Sequence, residues 1–121
     1  MQQVFVELFN YTDRWRALSP AQREEFVAGI QAAVNGLVAD GVEVVGWGFN
    51  DPDTDRRAPY DFFCVYRTPS AEFQRGFEAA ITGSGWHDYF DQVAVSGATS
   101  TPEALLAAYA RLDRPASQLV A

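Results

Sequence analysis

Hydrophobic and polar positions in the first part of the chain follow a strand pattern and then a helical one. Residues 3–9 (QVFVELF) are rich in Val and Phe, with Glu7 as the one charge, which predicts a strand. Ser19-Pro20 then predicts a helix start, because serine can cap a helix and proline suits its first position. The helix carries an apolar stripe at 3–4-residue spacing: Phe26, Ile30, Ala33, Val34 and Leu37. Asp40-Gly41 predicts its end.

Two further strands and a second helix are predicted in the middle of the chain. Residues 42–49 (VEVVGWGF) and 60–67 (YDFFCVYR) have strand composition, and the polar segment 50–59 predicts the loop between them. Thr68-Pro69 repeats the pattern of a capping residue followed by proline and predicts the second helix. The apolar stripe of that helix is Phe73, Phe77, Ala80 and Ile81.

The last third of the chain completes the predicted fold. After a Gly-Ser-Gly break, residues 86–90 predict one helical turn, 92–97 (QVAVSG) a fourth strand, and Thr101-Pro102 the start of a third helix. The order β-α-β-β-α-β-α contains the ferredoxin-like βαββαβ pattern. We predict an α+β fold in one domain, residues 1–113, followed by a C-terminal tail, 114–121.

Both faces of the predicted sheet are apolar. In the first strand the side chains alternate between the two faces: Val4, Val6 and Leu8 on one, Phe5, Glu7 and Phe9 on the other. One layer of helices can cover only one face. A sheet with two apolar faces in so short a chain therefore predicts a homodimer formed sheet to sheet.

Composition and net charge exclude several classes of binding partner. The 121 residues include sixteen acidic and nine basic side chains, all of them Arg, for a net charge of −7. Such a charge repels phosphate backbones and anionic lipids, so we expect neither nucleic-acid nor membrane binding. The absence of Lys excludes a Schiff-base lysine and a Walker lysine. The first residues show no signal-peptide pattern, and we expect a cytoplasmic protein.

Few residues could hold a metal or a cofactor. The single cysteine, Cys64, excludes an intrachain disulfide and lies in an apolar run, which predicts a buried hydrophobic residue. Asp51, Asp53 and Asp55 are spaced as in a calcium loop, but Arg56 and Phe62 stand where that loop needs Gly and Glu. We predict a solvated loop there and no metal or cofactor.

Three short motifs carry a resemblance. The element order, the chain length and the two-sided sheet resemble the dimeric α/β-barrel superfamily. The segments ELFN (7–10), GWGFND (46–51) and GWHDYF (85–90) resemble a group of small uncharacterised bacterial and archaeal proteins of that type. The superfamily includes cofactor-free monooxygenases, polyketide cyclases, isomerases, haem-degrading enzymes and proteins without known activity. The resemblance implies a pocket between the sheet and the helices, but it does not choose among these functions.

Candidate catalytic residues are His87, Tyr89 and Glu7. His87 follows the glycine break, and an imidazole there could move protons with Tyr89 as its hydrogen-bonding partner. In the cyclases and haem-degrading enzymes of the superfamily that this chain resembles, a histidine near the end of the second helix is functional, and His87 occupies a similar place. The third strand has Tyr66 where the haem-degrading enzymes have Trp, which makes haem the minor alternative. The other interpretation of His87 is an exposed or structural histidine.

Glu7 is the one carboxyl group in an apolar strand. Its burial needs a partner, protonation or a wet cavity. It is either a pocket base or ligand anchor, or one half of a buried or interfacial ion pair with Arg67 or Arg16.

A surplus of amphipathic side chains suggests a pocket for a small hydrophobic or aromatic ligand. The candidate ligand-binding residues are Trp47, Asn10, Asn50, Tyr60, Tyr66 and Trp86. The alternative is that the aromatic ones fill the core and the dimer interface. We predict a cavity lined by Glu7, Trp47 and at least one of residues 86–89.

Two classes of function remain open. The first is a cofactor-free enzyme, of cyclase, isomerase or monooxygenase type, acting on an aromatic or polyketide-like molecule. The second is a non-catalytic ligand-binding or stress-associated dimer that uses the same pocket.

Overall fold

A computed structural model of the chain describes residues 2–115, so most of the predicted tail, from residue 116 on, lies outside the described residues. The described elements are β1 (Gln3–Tyr11), α1 (Asp13–Ala17), α2 (Pro20–Ala39), β2 (Glu43–Phe49), β3 (Phe62–Thr68), α3 (Ala71–Gly83), α4 (Trp86–Tyr89), β4 (Phe90–Ala98) and α5 (Pro102–Ala110).

The four strands form one antiparallel sheet in the order β2-β3-β1-β4. This is the ferredoxin-like arrangement, in which β1 and β3 are the two central strands. It confirms the predicted fold class. Helices α2 and α3 lie over one face. Residues Phe5, Glu7 and Phe9 of β1 are buried beneath them, whereas Val4 and Val6 lie half-exposed on the opposite face.

Local capping signals place the long helix where the sequence predicts it. The Gln22 backbone N–H donates to Ser19 Oγ at 3.1 Å, and the Ser19 backbone N–H donates to Gln22 Oε1 at 2.9 Å. This reciprocal capping box satisfies two backbone donors that a helix start otherwise leaves open.

Three predicted boundaries are corrected. Helix α3 starts at Ala71 instead of Thr68-Pro69, because Thr68 ends β3 opposite Gln3 and Ser70 is the capping residue. Strand β3 begins at Phe62, and β4 begins at Phe90, directly after α4. Helix α1 was not predicted; its N-cap is Thr12, whose Oγ1 accepts from the Trp15 backbone N–H.

Across residues 2–115 the structure contains no helix with both the length and the apolar composition needed to cross a membrane.

Candidate functional site

A cavity of about 310 Å³ lies between the inner face of the sheet and the two long helices. The sequence predicted such a cavity, and Glu7, Trp47 and Trp86 all line it. Helix α2 contributes Ile30, Ala33, Val34 and Leu37, and α3 contributes Phe77, Ala80 and Ile81. The volume lies at the lower end of the range of about 300–1,000 Å³ that is usual for small-molecule sites.

Strand register brings the polar part of the floor together. Glu7 of β1 lies opposite Cys64 of β3, and Cys64 lies opposite Trp47 of β2. Side chains that are opposite in register share a face of the sheet, so these three form one row across it. Tyr66 is two residues further along β3 on the same face, and it also lines the cavity.

Glu7 is the one carboxyl group in this floor. Only 4% of the residue is exposed. Burial raises the pKa of its carboxyl from 4.5 to about 7, and hydrogen bonds with Gln92 and Tyr66 oppose that rise. Glu7 can therefore gain or lose a proton near neutral pH, as a general acid or base must.

Within the single chain, the ion pair suggested as the alternative for Glu7 does not form. Arg67 pairs with Glu43, and Arg16 pairs with Asp13 at 3.2 Å. The side chains that do bond to Glu7 are uncharged donors. Its burial is accommodated by hydrogen bonding and by the cavity.

Gln92 is a site residue that the sequence interpretation missed. It lies on β4 opposite Phe9, diagonal to Glu7, and accepts a hydrogen bond at Oε1 from Trp86 Nε1 at 2.7 Å. A glutamine near a strand start carries no signal of its own. Only the register of β4 against β1 shows that it faces Glu7.

Cys64 and Tyr66 are held in their neutral forms. Cys64 is buried, as predicted, and burial raises the pKa of its thiol to about 12, with the Glu7 charge adding to the effect. Burial also raises the pKa of the Tyr66 phenol above its usual value. Because the thiolate is the reactive form of cysteine, this environment does not activate Cys64 as a nucleophile.

Trp47 stands at the open side of the cavity. It is 46% exposed, and its ring meets Tyr66 edge-on with 6.4 Å between centroids. Trp86, which also lines the cavity, stacks on Phe90 with 4.0 Å between ring centroids and meets Phe9 edge-on with 5.2 Å between centroids. One indole is therefore fixed in the core, while the other is available to a ligand that enters from solvent.

His87 lies outside this cavity. It is exposed and lines a neighbouring cavity of about 340 Å³ together with Glu78, Gln92 and Ser96. Tyr89 packs against Trp15 and Phe26, with centroid distances of 5.7 and 5.0 Å. The structure thus separates His87 and Tyr89 from the cavity of Glu7, and Gln92 both lines the cavity of His87 and bonds to Glu7.

Asn50 and Tyr60 lie in the loop that joins β2 to β3, and Asn10, near the end of β1, contacts that loop. Asn10 Nδ2 donates to the Pro59 carbonyl at 3.1 Å, and Asn50 Nδ2 donates to the Tyr60 carbonyl at 2.8 Å. Asn10 Oδ1 also accepts from the Asp61 backbone N–H at 2.8 Å. These contacts hold the loop against β1, and the structure does not bring the three residues to the cavity.

The cavity's donor atoms do not fit haem. Haem iron takes His, Cys thiolate, Met or Tyr as an axial ligand. Of these, the described residues lining the cavity offer Cys64 and Tyr66, both held neutral in the floor of the sheet. Among residues 2–115, no three His, Cys, Asp or Glu side chains gather into a possible metal site either.

Comparisons with known proteins identify a family and a fold. A family of unknown function (DUF6616) matches residues 2–112. A mutant chlorite dismutase from Candidatus Nitrospira defluvii has a similar structure, with a TM-score of 0.67 and 14% sequence identity. The match covers 88% of this chain and 43% of that one, so this chain corresponds to less than half of it. No curated protein sequence matches the chain.

Proposed function

We propose that this chain, which belongs to the family of unknown function DUF6616, binds a small, mostly apolar molecule and transfers a proton at Glu7. The reaction class would be a cofactor-independent isomerisation or cyclisation. The observation that carries the proposal is a single buried carboxyl group, with a pKa of about 7, in the floor of a mostly apolar cavity.

The lining of the cavity supports an aromatic or fused-ring ligand. Its walls are apolar side chains of α2 and α3, and the partly exposed Trp47 offers a flat face for stacking. The similarity to chlorite dismutase supports the fold alone, because the two chains share only 14% identity.

The proton transfer requires only groups that the cavity supplies. The Glu7 carboxylate takes a proton from a carbon next to a carbonyl group, and the C–H electron pair moves into an enolate. Where the ketone also has a C=C bond between its β- and γ-carbons, the enolate is a dienolate, and return of the proton to the γ-carbon gives the conjugated isomer and restores the carboxylate. We assign this role to Glu7 instead of His87, because His87 lines the neighbouring cavity.

Deuterium exchange into tetralone, a bicyclic ketone that enolises, tests the reaction. We expect the wild-type protein to accelerate exchange of the protons next to the carbonyl in D₂O. Glu7→Gln should lower the rate by about a hundredfold or more, the usual scale of a general base. The rate is measured by proton NMR.

A pair of alanine variants on α2 tests the location. Ala33 lines the cavity, whereas the adjacent Ala32 is exposed outside it. Ala33→Phe should abolish both tetralone binding and exchange, and Ala32→Phe should leave them unchanged. Equal behaviour of the two variants would contradict a site in this cavity.

Binding without catalysis is the second candidate, and one observation favours it. The titratable neighbours of Glu7 on β3, Cys64 and Tyr66, both have raised pKa values and do not exchange protons near neutrality. Glu7 would then act only as an anchor for the ligand. Tetralone binding that Ala33→Phe removes, without any exchange in the wild type, would support this candidate.

We also propose that two copies associate through the outer face of the sheet. That face carries Val4, Val6, Leu8, Phe63, Val65, Val93 and Val95, all of them half-buried or exposed in the single chain. Val95 is 68% exposed in the single chain. A continuous apolar face of this kind is typical of an interaction surface.

A further inference from the structure

Glu7 is the meeting point of two short chains of hydrogen bonds, and each chain begins at an indole. On one side Trp86 Nε1 donates to Gln92 Oε1 at 2.7 Å, and the Gln92 side chain bonds to Glu7. On the other side Trp47 bonds to Tyr66, and Tyr66 bonds to Glu7. An indole N–H can only donate, so the outer end of each chain has a fixed direction.

These fixed ends orient the two groups next to the carboxyl. The oxygen of the Gln92 amide is bonded to Trp86, so its NH₂ group is turned towards Glu7. The oxygen of Tyr66 accepts from Trp47, and its O–H is the donor that both Cys64 and Glu7 face. Glu7 therefore receives donors from both neighbouring strands. Donors on both sides favour the ionised carboxylate, which can only accept.

The other groups near Glu7 do not supply a counter-charge. Cys64 and Tyr66 from β3 and Asp40 from the end of α2 are the titratable side chains in the same described cavity wall. The side chains that α3 directs into this wall are apolar, while Glu78 and His87 line the neighbouring cavity. The lone pairs that Glu7 turns to the cavity are thus left for a ligand that donates.

We propose that Gln92 and Trp86 are positioning residues that keep Glu7 an acceptor, and that the cavity takes aromatic molecules whose polar group is a proton donor, such as a phenol or an enol. This inference rests on the proposed binding function and adds the ligand's chemistry to it. A ligand that turns only a carbonyl oxygen to Glu7 would meet lone pairs and bind no better than a hydrocarbon.

Three probes of nearly the same shape test the ligand class. Naphthol carries a donor, naphthaldehyde carries only an acceptor, and methylnaphthalene carries neither. Above pH 7 we expect naphthol to bind at least about tenfold more tightly than methylnaphthalene, because a hydrogen bond to a charged group exceeds a neutral one. Naphthaldehyde should show no such preference. The naphthol preference should shrink below pH 7 as Glu7 becomes protonated. Affinities are measured by titration calorimetry.

Two variants test the positioning residues. Gln92→Leu removes a donor to Glu7, and Trp86→Phe frees the amide of Gln92 to reverse. Each should raise the Glu7 pKa, measured by carbon-13 NMR of its carboxyl, and reduce the naphthol preference severalfold. Trp15→Phe is the matched control, because Trp15 also packs on Phe90, with 4.8 Å between ring centroids. It should leave both readouts unchanged.

The outcomes separate this inference from the function on which it rests. Probes that bind equally on both sides of pH 7, or an unchanged Glu7 pKa in Gln92→Leu, would overturn the inference and leave binding intact. If none of the three probes binds, both the inference about the ligand class and the proposed binding function fail. The carboxyl titration then still decides whether Gln92 and Trp86 act on Glu7.

Discussion

Glu7 holds its proton more tightly in the folded chain than in the unfolded one. Burial raises its pKa from 4.5 to about 7. Between these two pH values the folded chain keeps the proton and the unfolded chain has lost it, so a rise in pH favours unfolding. The free energy of unfolding should therefore fall from about pH 4.5 to about pH 7, by about 3 kcal/mol in total, and the Glu7 contribution should not change further above that range.

Glu7→Gln should remove this pH dependence. The amide is neutral at every pH, so we expect the variant to be more stable than the wild type by about 2–3 kcal/mol at pH 8 and nearly equal to it at pH 4. Urea unfolding across this range measures the difference. Glu25→Gln, on the exposed side of α2, controls for the loss of one carboxyl group. Parallel pH profiles for wild type and Glu7→Gln would contradict the buried carboxyl.

Cys64 should resist alkylation while the protein is folded. Its thiol pKa is raised from 9.0 to about 12, so the folded chain has about a thousandfold less thiolate than the unfolded chain at pH 8. Mass spectrometry after iodoacetamide treatment, with and without urea, should show a difference of this order. Equal labelling rates in both conditions would place the thiol in an exposed, unperturbed environment.

At the scale of the elements, one glycine supports the turn from α3 into α4. Gly85 has a φ of +85°, a conformation that side chains with a Cβ rarely adopt. We expect Gly85→Ala to destabilise the fold by about 1–2 kcal/mol. The turn matters for the site because Trp86, which follows directly, bonds to Gln92.

A glycine-to-alanine substitution within α3 should have the opposite effect on stability. Gly76 is helical, and a Cβ added there would meet open space. Gly76→Ala should stabilise the protein by about 0.5–1 kcal/mol, because alanine loses less backbone entropy in a helix. Thermal unfolding of the two variants checks both signs. Destabilisation by both would show that the loss of glycine itself, and not the local φ, controls the effect.

Element order and helix starts could be predicted because their signals are local. Ser19, Pro20 and Gln22 lie within four residues of one another, and their capping box forms as the spacing predicts. Thr68-Pro69 has the same pattern of a capping residue before proline, yet Thr68 is the last residue of β3. Its Oγ1 donates to the Gln74 side chain at 2.9 Å. Strand pairing competes there with helix capping, and the local sequence does not show which prevails.

The sequence predicts only those features of the site that follow from the alternation of side chains along a strand. Alternation grouped Glu7 with Phe5 and Phe9 on one face. We predicted that Glu7 and Trp47 point towards the helices and not into the dimer interface, and the lining of the cavity agrees with that placement. The partners of Glu7 depend on register between strands far apart in the chain, which alternation does not fix. For this reason Gln92 was missed, and the separation of His87 from Glu7 was not foreseen.

At the scale of the whole molecule, the outer sheet face allows a test of the proposed dimer. Val6 and Val95 are opposite each other in register on that face. Val95→Arg should place a charge in the interface and dissociate the dimer, seen by analytical ultracentrifugation as a halved mass. Val27→Arg is the control, since Val27 is an exposed residue of α2 on the other side of the molecule. A wild-type protein that sediments as a monomer would reject the dimer.

Helix α2 is anchored near its ends and spans the cavity between them. Phe26 packs against Trp15 near its start, the Val42 backbone N–H donates to the Leu37 carbonyl beyond its end, and none of its twenty residues is buried. Elements with little buried surface open locally at low free-energy cost. Amide hydrogens in the middle of α2 should therefore exchange with solvent sooner than those of β1, and an occupied cavity should slow that exchange. The same opening would set how fast a ligand enters and leaves, so α2 controls residence time, whereas the rigid sheet beneath it controls which molecule is held.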